Sequence, residues 1–152
     1  MTDVLLSIRP EFVKQIEEDK KKFEYRKTIF SKAHVENIFI YSTSPVKKVV
    51  GFFKVGRIIT DTPQNLWKMS DGMAGIDYED FNNYFYGKKV GYAIEICETY
   101  FFKKPMNLDE IIPEGTPPQS FRYLDPNFEL NSSEYDKNQH SVNQLQMPYR
   151  ND

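Results

Sequence analysis

The chain has 152 residues, of which 39% are hydrophobic and 15% aromatic, enough to fold as one globular domain. Its single cysteine, Cys97, excludes a disulfide framework, and its two histidines, His34 and His140, lack the spacing of a zinc site. The N-terminal residues do not resemble a signal peptide, and no apolar run approaches the ~20 residues of a membrane-spanning helix. We therefore expect a cytoplasmic protein with no membrane segment, no metal and no other cofactor.

The charges are distributed unevenly along the chain. The net charge is -2, but residues 1–60 carry 12 basic against 7 acidic side chains, whereas residues 61–152 carry 8 against 15. This asymmetry is compatible with a local basic surface for an anionic partner. The alternative is that folding mixes the two halves on one surface.

The first predicted elements are a strand and a helix. The short apolar segment 3–8 is typical of a buried strand. Pro10 follows at a position that suits the first turn of a helix, and Phe12, Val13 and Ile16 then fall on one helical face. We expect this N-terminal helix to pack on the sheet through that face and to end near residues 19–21.

The stretch KKKFEYRK after the helix carries six charges and two aromatic residues in eight positions. The alternation of a strand places Phe23 and Tyr25 on one face, and Lys22, Glu24 and Arg26 on the other. A buried charge is unfavourable unless it is paired. The charged face is therefore either a salt-bridged outer surface or the lining of a polar cleft.

The rest of the chain predicts further strands and short helices. Four strands are expected at residues 35–43, 49–60, 89–102 and 120–124. Gly51 and Gly56 indicate bends or bulges in the second of these, as in a curling sheet. Two short helices lie between the long strands, the first capped by Asp61 or Thr62 and the second by Asp77.

Together these elements predict an α+β domain: a small, partly closed β-barrel with an N-terminal helix and short inserted helices. We assign residues 1–124 to this domain and residues 125–152 to a polar C-terminal tail. Its composition is rich in Asn, Gln, Ser and Asp. The residues able to pin this tail are Phe128, Tyr135, Leu145 and Tyr149.

Four segments, in order, resemble ASCH-domain proteins of the PUA-like superfamily: SIRPEFVKQIEEDKKKFEYRK, IYSTSPVKKVVGFFKVG, KKVGYAIEI and PPQSFRYL. The hallmark of that family is a G-x-K-x-x-E-x-R motif after the first helix. Lys21, Glu24 and Arg26 match it, whereas Asp19 stands at the glycine position. The resemblance covers residues 3–124 and implies a PUA-like barrel with the motif lining a cleft.

The resemblance also implies roles for the motif residues. Lys21 and Arg26 would contact a phosphate or the polar edge of a base, and Glu24 would orient them or accept a hydrogen bond from a base amine. The side-chain chemistry suits these roles, because Arg offers a planar fork of donors, Lys a point charge and Glu an acceptor.

Five further residues complete the predicted ligand-binding set. Ser42 and Thr43, at the end of a strand, could add hydroxyl contacts or could simply form a turn. Ser120, Arg122 and Tyr123 could close the other wall of the cleft, with Tyr123 stacking on a base. The alternative for an aromatic residue in a strand is a place in the core.

The leading functional hypothesis is a module that binds RNA or a modified nucleoside. Duplex DNA is a less favoured partner, because the sequence contains no helix-turn-helix and no long basic recognition helix. A third hypothesis is a regulatory domain that binds proteins through its acidic half and polar tail. The oligomeric state is left open.

The second hypothesis is an enzyme, and the sequence leaves catalysis undecided. Some small ASCH proteins resemble amidohydrolases of acetylated cytidine that use a Lys, a Thr and a Glu; Lys21 matches, but Glu24 stands where the Thr would be, and Glu95 cannot be aligned with the Glu. A hydroxyl nucleophile beside a basic lysine is reasonable chemistry. Other ASCH proteins are ribonucleases, for which Lys21, Ser120 and Tyr123 form a conceivable set.

Overall fold

The computed structural model of the chain describes residues 2–31 and 34–138. This part forms one sheet of seven strands: β1 (Thr2–Ile8), β2 (Phe23–Arg26), β3 (Val35–Ser42), β4 (Lys48–Asp61), β5 (Gly91–Met106), β6 (Phe121–Tyr123) and β7 (Tyr135–Lys137). The first six confirm the strands predicted from the sequence. His140, Leu145 and Tyr149 lie outside the described residues.

The sheet is mixed and curled. Its strand order is β2-β5-β4-β3-β1-β6, with β7 added to β5. β1 and β3 run parallel, and the other neighbours are antiparallel. The two end strands of this order lie close to each other. The Arg26 guanidinium on β2 donates a hydrogen bond to the Ser120 carbonyl beside β6 at 2.9 Å. The predicted α+β, partly closed barrel is thereby confirmed.

The glycines of β4 lie where the strand bends. The pairing of β4 with β5 shifts register between Val49 and Gly51 and twice more between Phe53 and Ile58, a stretch that includes Gly56. A Cβ atom on Gly51 would lie 2.1 Å from the carbonyl oxygen of Tyr100. Only glycine allows the two backbones to approach this closely, and the predicted bends are confirmed.

Three helices accompany the sheet: α1 (Pro10–Glu17), α2 (Pro63–Ser70) and α3 (Tyr78–Tyr84), with single 3₁₀ turns at Leu108–Glu110 and Ser132–Glu134. The Thr62 hydroxyl accepts from the backbone of α2, and the Asp77 carboxylate from that of α3. These side chains satisfy backbone donors that have no partner within the helix. No helix in the described ranges has the length and hydropathy needed to cross a membrane.

The strand alternation divides the core into two faces. On β1, the side chains of Val4, Leu6 and Ile8 face one cluster, which the Ile16 side chain of α1 covers. Leu5 faces the opposite cluster, called the aromatic cluster below because seven of its fifteen side chains are aromatic. This division follows from the period of two in a strand. A third cluster packs β2 against the inserted helices α2 and α3.

Residues 125–138 lie against the aromatic face of the sheet. Phe128, Leu130 and Tyr135 pack on the aromatic cluster, and β7 pairs with the Tyr100–Phe102 part of β5. The sequence pattern did not predict this strand, because three residues give no measurable alternation.

Candidate ligand-binding site

The turn between α1 and β2 places the motif residues. Asp19, at the position where the family motif has glycine, adopts a left-handed backbone with φ of 62°. Aspartate is among the few non-glycine residues that tolerate this conformation. Its carboxylate also forms an ion pair with Lys22. The turn is therefore formed without glycine, and α1 ends slightly earlier than predicted.

Lys21 is buried, with 3% of its surface exposed. Its Nζ donates to the Ala74 carbonyl at 3.0 Å and lies 3.8 Å from Glu24 Oε1. The ammonium also lies 5.3 Å from the ring centroid of Phe12 and 4.9 Å from that of Tyr25, within the range of a cation–π interaction. Burial lowers the pKa of Lys21, and the charge of Glu24 opposes this shift.

The loop after α2 holds Lys21 from the other side. The Lys22 amide donates to the Met73 carbonyl at 2.8 Å, and Lys21 pairs with Ala74 as an isolated bridge. Gly75 has φ of +68°, and a Cβ atom there would lie 2.3 Å from the Cβ of Lys21. Both the backbone angle and the close approach therefore require glycine at this position.

Glu24 and Arg26 extend the charged group toward the far edge of the sheet. Glu24, 6% exposed, accepts from Arg26 Nη1 at 3.2 Å through the carboxylate oxygen that does not face Lys21. Arg26 Nη2 donates to the Ser120 carbonyl at 2.9 Å and lies 3.4 Å from the Ser120 hydroxyl. Each buried charge thus has an opposite charge or a carbonyl beside it, which offsets its desolvation.

The three motif residues line a cavity of about 150 Å³. Four aromatic side chains complete much of its wall: Phe12, Tyr25, Phe81 and Tyr84. A cavity of about 150 Å³ holds one benzene-sized ring. A wider cleft of about 410 Å³ shares Phe12 and Tyr84 with it and leads outward past Glu11 and Asp80. The cavity therefore has the size and lining for a single flat polar ring.

Two tyrosines of the wall keep their hydroxyl protons well above neutral pH. Burial raises the pKa of Tyr25 to about 12, against the opposing effect of its hydrogen bond with the Ser70 hydroxyl. Burial likewise raises the pKa of Tyr84. Both rings are therefore neutral and can stack on a ligand without adding charge.

The other predicted residues differ in whether they contact the motif. Ser120 joins the motif through Arg26, and the Tyr123 hydroxyl accepts from the Ser31 amide at 2.9 Å. Arg122 instead forms an ion pair with Glu114. The structure thus brings Ser120 to the charged group and keeps Arg122 occupied elsewhere.

Ser42 and Thr43 are not part of the cavity wall. Ser42 is 2% exposed at the end of β3, where it pairs with Ile8 and Lys48 in the sheet. The Thr43 amide donates to the Ile8 carbonyl at 3.0 Å, and its own carbonyl accepts from the turn that follows. These contacts are those of a strand end and a turn.

The sequence analysis missed part of the cavity wall. Ile76, Phe81 and Tyr84 come from the inserted segment around α3, about 50 residues or more after the motif. Their aromatic and apolar character was the only signal available, and it equally suits a core. Phe12 was predicted on the buried face of α1, and it lines the cavity from there.

Glu95, considered as a catalytic carboxylate, lies apart from the cavity. Its carboxylate accepts from the Arg57 guanidinium at 3.1 Å, and the Arg57 side chain is 68% exposed. Within residues 2–31 and 34–138, no group of three or more His, Cys, Asp or Glu side chains could hold a metal ion.

The sequence was compared with protein families and with known proteins. No family model matches the chain. The ASCH domain-containing ribonuclease of Zymomonas mobilis is 33% identical over 133 residues, which are 82% of this chain and 89% of that protein. The large ribosomal subunit protein uL22 of Ureaplasma parvum is 27% identical over 124 residues, but the match spans only 39% of it.

Solved structures of the Zymomonas protein have the same fold as this chain. The crystal structure of ASCH from Zymomonas mobilis superposes with a TM-score of 0.75 at 31% identity, covering 82% of this chain and 88% of that one. A variant of the same protein with a tyrosine replaced by phenylalanine gives a TM-score of 0.76 at 30% identity, covering 83% and 92%.

Proposed function

Because the chain belongs to the ASCH-domain family, we propose that it binds RNA, or a modified nucleoside, by holding one base in the cavity of Lys21, Glu24 and Arg26. The observation that carries this proposal is the cavity itself. Two cations and a carboxylate lie together beside four aromatic rings, in a volume that suits one ring. The name of the Zymomonas relative, a ribonuclease, supports RNA as the partner.

The motif residues have hydrogen-bonding capacity left for a base. The Lys21 ammonium has three donors, of which one is used on Ala74 and one faces Glu24. Arg26 has five donors, and the Glu24 carboxylate can accept more than the contacts it makes. Carbonyl oxygens of a base would accept from the cations, while an exocyclic amine would donate to Glu24.

A titration of labelled single-stranded RNA across a salt series tests this proposal. We expect log affinity to fall with log salt by about 0.7 for each phosphate contact. Arg26→Gln and Lys21→Met are expected to weaken binding, whereas Arg57→Gln, which removes an arginine from an exposed ion pair outside the cavity, leaves it unchanged. Circular dichroism confirms that each variant is folded.

Two outcomes would contradict RNA binding through this cavity. One is the absence of saturable binding at low salt. The other is equal weakening by Arg26→Gln and Arg57→Gln, since that would indicate nonspecific attraction to surface charge. A parallel titration with free cytidine and acetylated cytidine separates recognition of a single nucleoside from recognition of a strand.

The second candidate function is ribonuclease activity, which the name of the relative at 33% identity favours. Lys21, Ser120 and Tyr123 remain the set to test, with Ser120 held against the Arg26 guanidinium. A denaturing gel of the same RNA, incubated with the wild type, Ser120→Ala and Tyr123→Phe, decides this. Cleavage lost in the variants supports catalysis, whereas intact RNA in all samples leaves binding as the function.

The remaining proposals concern partner and location. Single-stranded RNA is favoured over duplex DNA, since the three described helices have eight, eight and seven residues and are short for reading a groove. A cytoplasmic location is compatible with the chain's single cysteine, Cys97, which is half-buried in β5. Binding of a partner protein through residues 125–152 remains the alternative role of the tail.

A further inference from the structure

A second cavity, of about 160 Å³, lies on the opposite face of the sheet from the motif. Its wall contains four aromatic side chains, Phe39, Phe52, Phe128 and Tyr135. The first two belong to the aromatic core cluster on β3 and β4, and the other two come from residues 125–138, which cover that cluster. The cavity is thus formed where the C-terminal segment meets the sheet.

The four rings pack against one another, one pair nearly parallel and two pairs at steep angles. The rings of Phe39 and Phe52 lie nearly parallel, at 27° and 5.1 Å between centroids. Phe128 stands at 78° to Phe39, and Tyr135 at 80° to Phe52. Because these rings contact one another, each presents only part of a face or an edge to the cavity, and the exposed part of a π-face attracts a cation.

Two acceptors, Asn37 and Asp3, lie in the same wall. The Asn37 amide nitrogen donates to Asp3 at 3.3 Å and to Glu36 at 3.4 Å, which fixes the orientation of the amide. Asn37 Oδ1 is consequently turned away from both carboxylates. It is buried, and within the described part of the chain it has no hydrogen-bond partner. A buried acceptor in this state is unfavourable unless a ligand or solvent supplies a donor.

Asp3 contributes a negative charge to the same cavity wall as this acceptor. It is not among the ion pairs formed within residues 2–31 and 34–138. Burial raises its pKa, the Asn37 hydrogen bond and Lys54 lower it, and Glu36 raises it further. A cation placed in the cavity would therefore stabilise the charged form of Asp3, which burial and Glu36 disfavour.

We propose that this cavity binds a guanidinium group, carried either by an arginine side chain or by a small free guanidine. The group is cationic and flat, so it suits aromatic walls, and its several in-plane N–H donors can pair with the Asp3 carboxylate while others are directed toward Asn37. Its size fits a cavity close to the ~150 Å³ that accepts one benzene ring. This site is separate from the motif cavity and does not depend on RNA binding.

Nuclear magnetic resonance titrations of the full chain test the chemistry of the ligand without any variant. Methylguanidinium chloride is compared with urea, which is flat but neutral, and with tetramethylammonium chloride, which is charged but has no N–H donor. Ionic strength is held constant. We expect methylguanidinium to bind at least about tenfold more tightly than either, because only it combines charge with donors. The Asn37 amide and the Tyr135 ring should shift.

Two further probes distinguish the source of the group and a rival ligand. N-acetylarginine amide binding as tightly as methylguanidinium, or more so, indicates an arginine side chain, and weaker binding indicates a small free guanidine. Cytidine is flat and carries an amine donor without charge. Preferential binding of cytidine here would overturn the guanidinium proposal and indicate a second base site.

Variants locate the binding. Asp3→Asn keeps the shape of the side chain and removes its charge, and Asn37→Leu removes the unpartnered acceptor. Each should weaken methylguanidinium binding about tenfold or more. Asp71→Asn is the matched control: it removes the same charge at an exposed left-handed position that asparagine tolerates, and binding should not change. Thermal unfolding shows whether each variant is folded.

Three results would overturn the proposal. The first is no saturable methylguanidinium binding to the wild type. The second is binding whose shifts lie away from Asn37 and Tyr135. The third is equal affinity for urea, or equal weakening by Asp3→Asn and Asp71→Asn, because the site would then not recognise a cation through Asp3.

Discussion

The two cavities are nearly equal in volume, about 150 and 160 Å³, but they treat their polar groups in opposite ways. In the motif cavity, Lys21, Glu24 and Arg26 satisfy one another and nearby backbone carbonyls. In the aromatic cavity, the buried Asn37 Oδ1 has no partner in the described chain. The charged residues are thus each paired within the chain and still keep hydrogen-bonding capacity for a ligand, whereas the mostly aromatic cavity contains an acceptor that the described chain leaves unpaired.

This difference has a consequence for mutations. Residues of the motif cavity carry structure as well as ligand chemistry, because Arg26 joins β2 to the Ser120 end of the sheet. We expect the polar atoms of the aromatic cavity to contribute little to folding, because Asn37 Oδ1 has no partner in the described chain and the contacts of its amide are long. Substitutions should therefore be costly to stability in the first cavity and nearly neutral in the second.

The largest expected effect is that of Glu24→Ala. It leaves Lys21 buried without its carboxylate, and breaking a buried ion pair in this way destabilises a protein by about 3–5 kcal/mol. Glu11→Ala, which breaks an exposed pair with Arg9, should change the free energy of unfolding by at most about 1 kcal/mol. Urea unfolding measures both, and equal small effects would show that the motif charges are not structural.

Gly75→Ala is expected to have the next largest effect on stability. The left-handed backbone alone costs an alanine about 1–2 kcal/mol, and the contact with Lys21 adds to this cost. Gly72→Ala is the control, since Gly72 also has a positive φ but nothing lies within 4 Å of the added Cβ. Thermal unfolding of the two variants should differ clearly. If they match, the packing of the loop on Lys21 does not stabilise the site.

The pH dependence of stability tests the burial of Lys21. Its pKa is lowered in the folded state, so between that value and 10.5 the unfolded chain binds more protons at this residue. The free energy of unfolding of the wild type relative to Lys21→Met should therefore rise with pH in this window and level off above it. A constant or falling difference between pH 7 and 10 would contradict a buried, destabilised ammonium.

The smallest expected effect is that of Asn37→Leu. The substitution removes a buried acceptor without a partner and the weak contacts of its amide with Asp3 and Glu36. We expect the free energy of unfolding to change by less than about 1 kcal/mol, in either direction. A loss of several kcal/mol in urea unfolding would mean that Asn37 is structural, and the contrast between the cavities would disappear.

Much of the fold could be predicted from local patterns. The alternation in KKKFEYRK separated Phe23 and Tyr25 from Glu24 and Arg26; both aromatic residues pack with the inserted helices, but Tyr25 also lines the motif cavity beside Glu24 and Arg26. The helix caps Thr62 and Asp77 could also be predicted, since each accepts a hydrogen bond from a backbone amide only three residues away. The aromatic cavity was not predictable, because aromatic residues in strands have the pattern of a core whether or not they enclose a space.

Local sequence patterns were enough to predict six of the seven described strands, the three helices and the motif residues, since these depend on periods of two and 3.6 residues and on contacts between near neighbours. The residues that lie opposite each face could be seen only in the folded chain. Folding brought Ala74 and Gly75 onto Lys21, Ser120 onto Arg26, and residues 125–138 onto the aromatic cluster. These contacts join residues about 30 to about 100 positions apart, and the closing of such loops leaves no periodic signal in the chain.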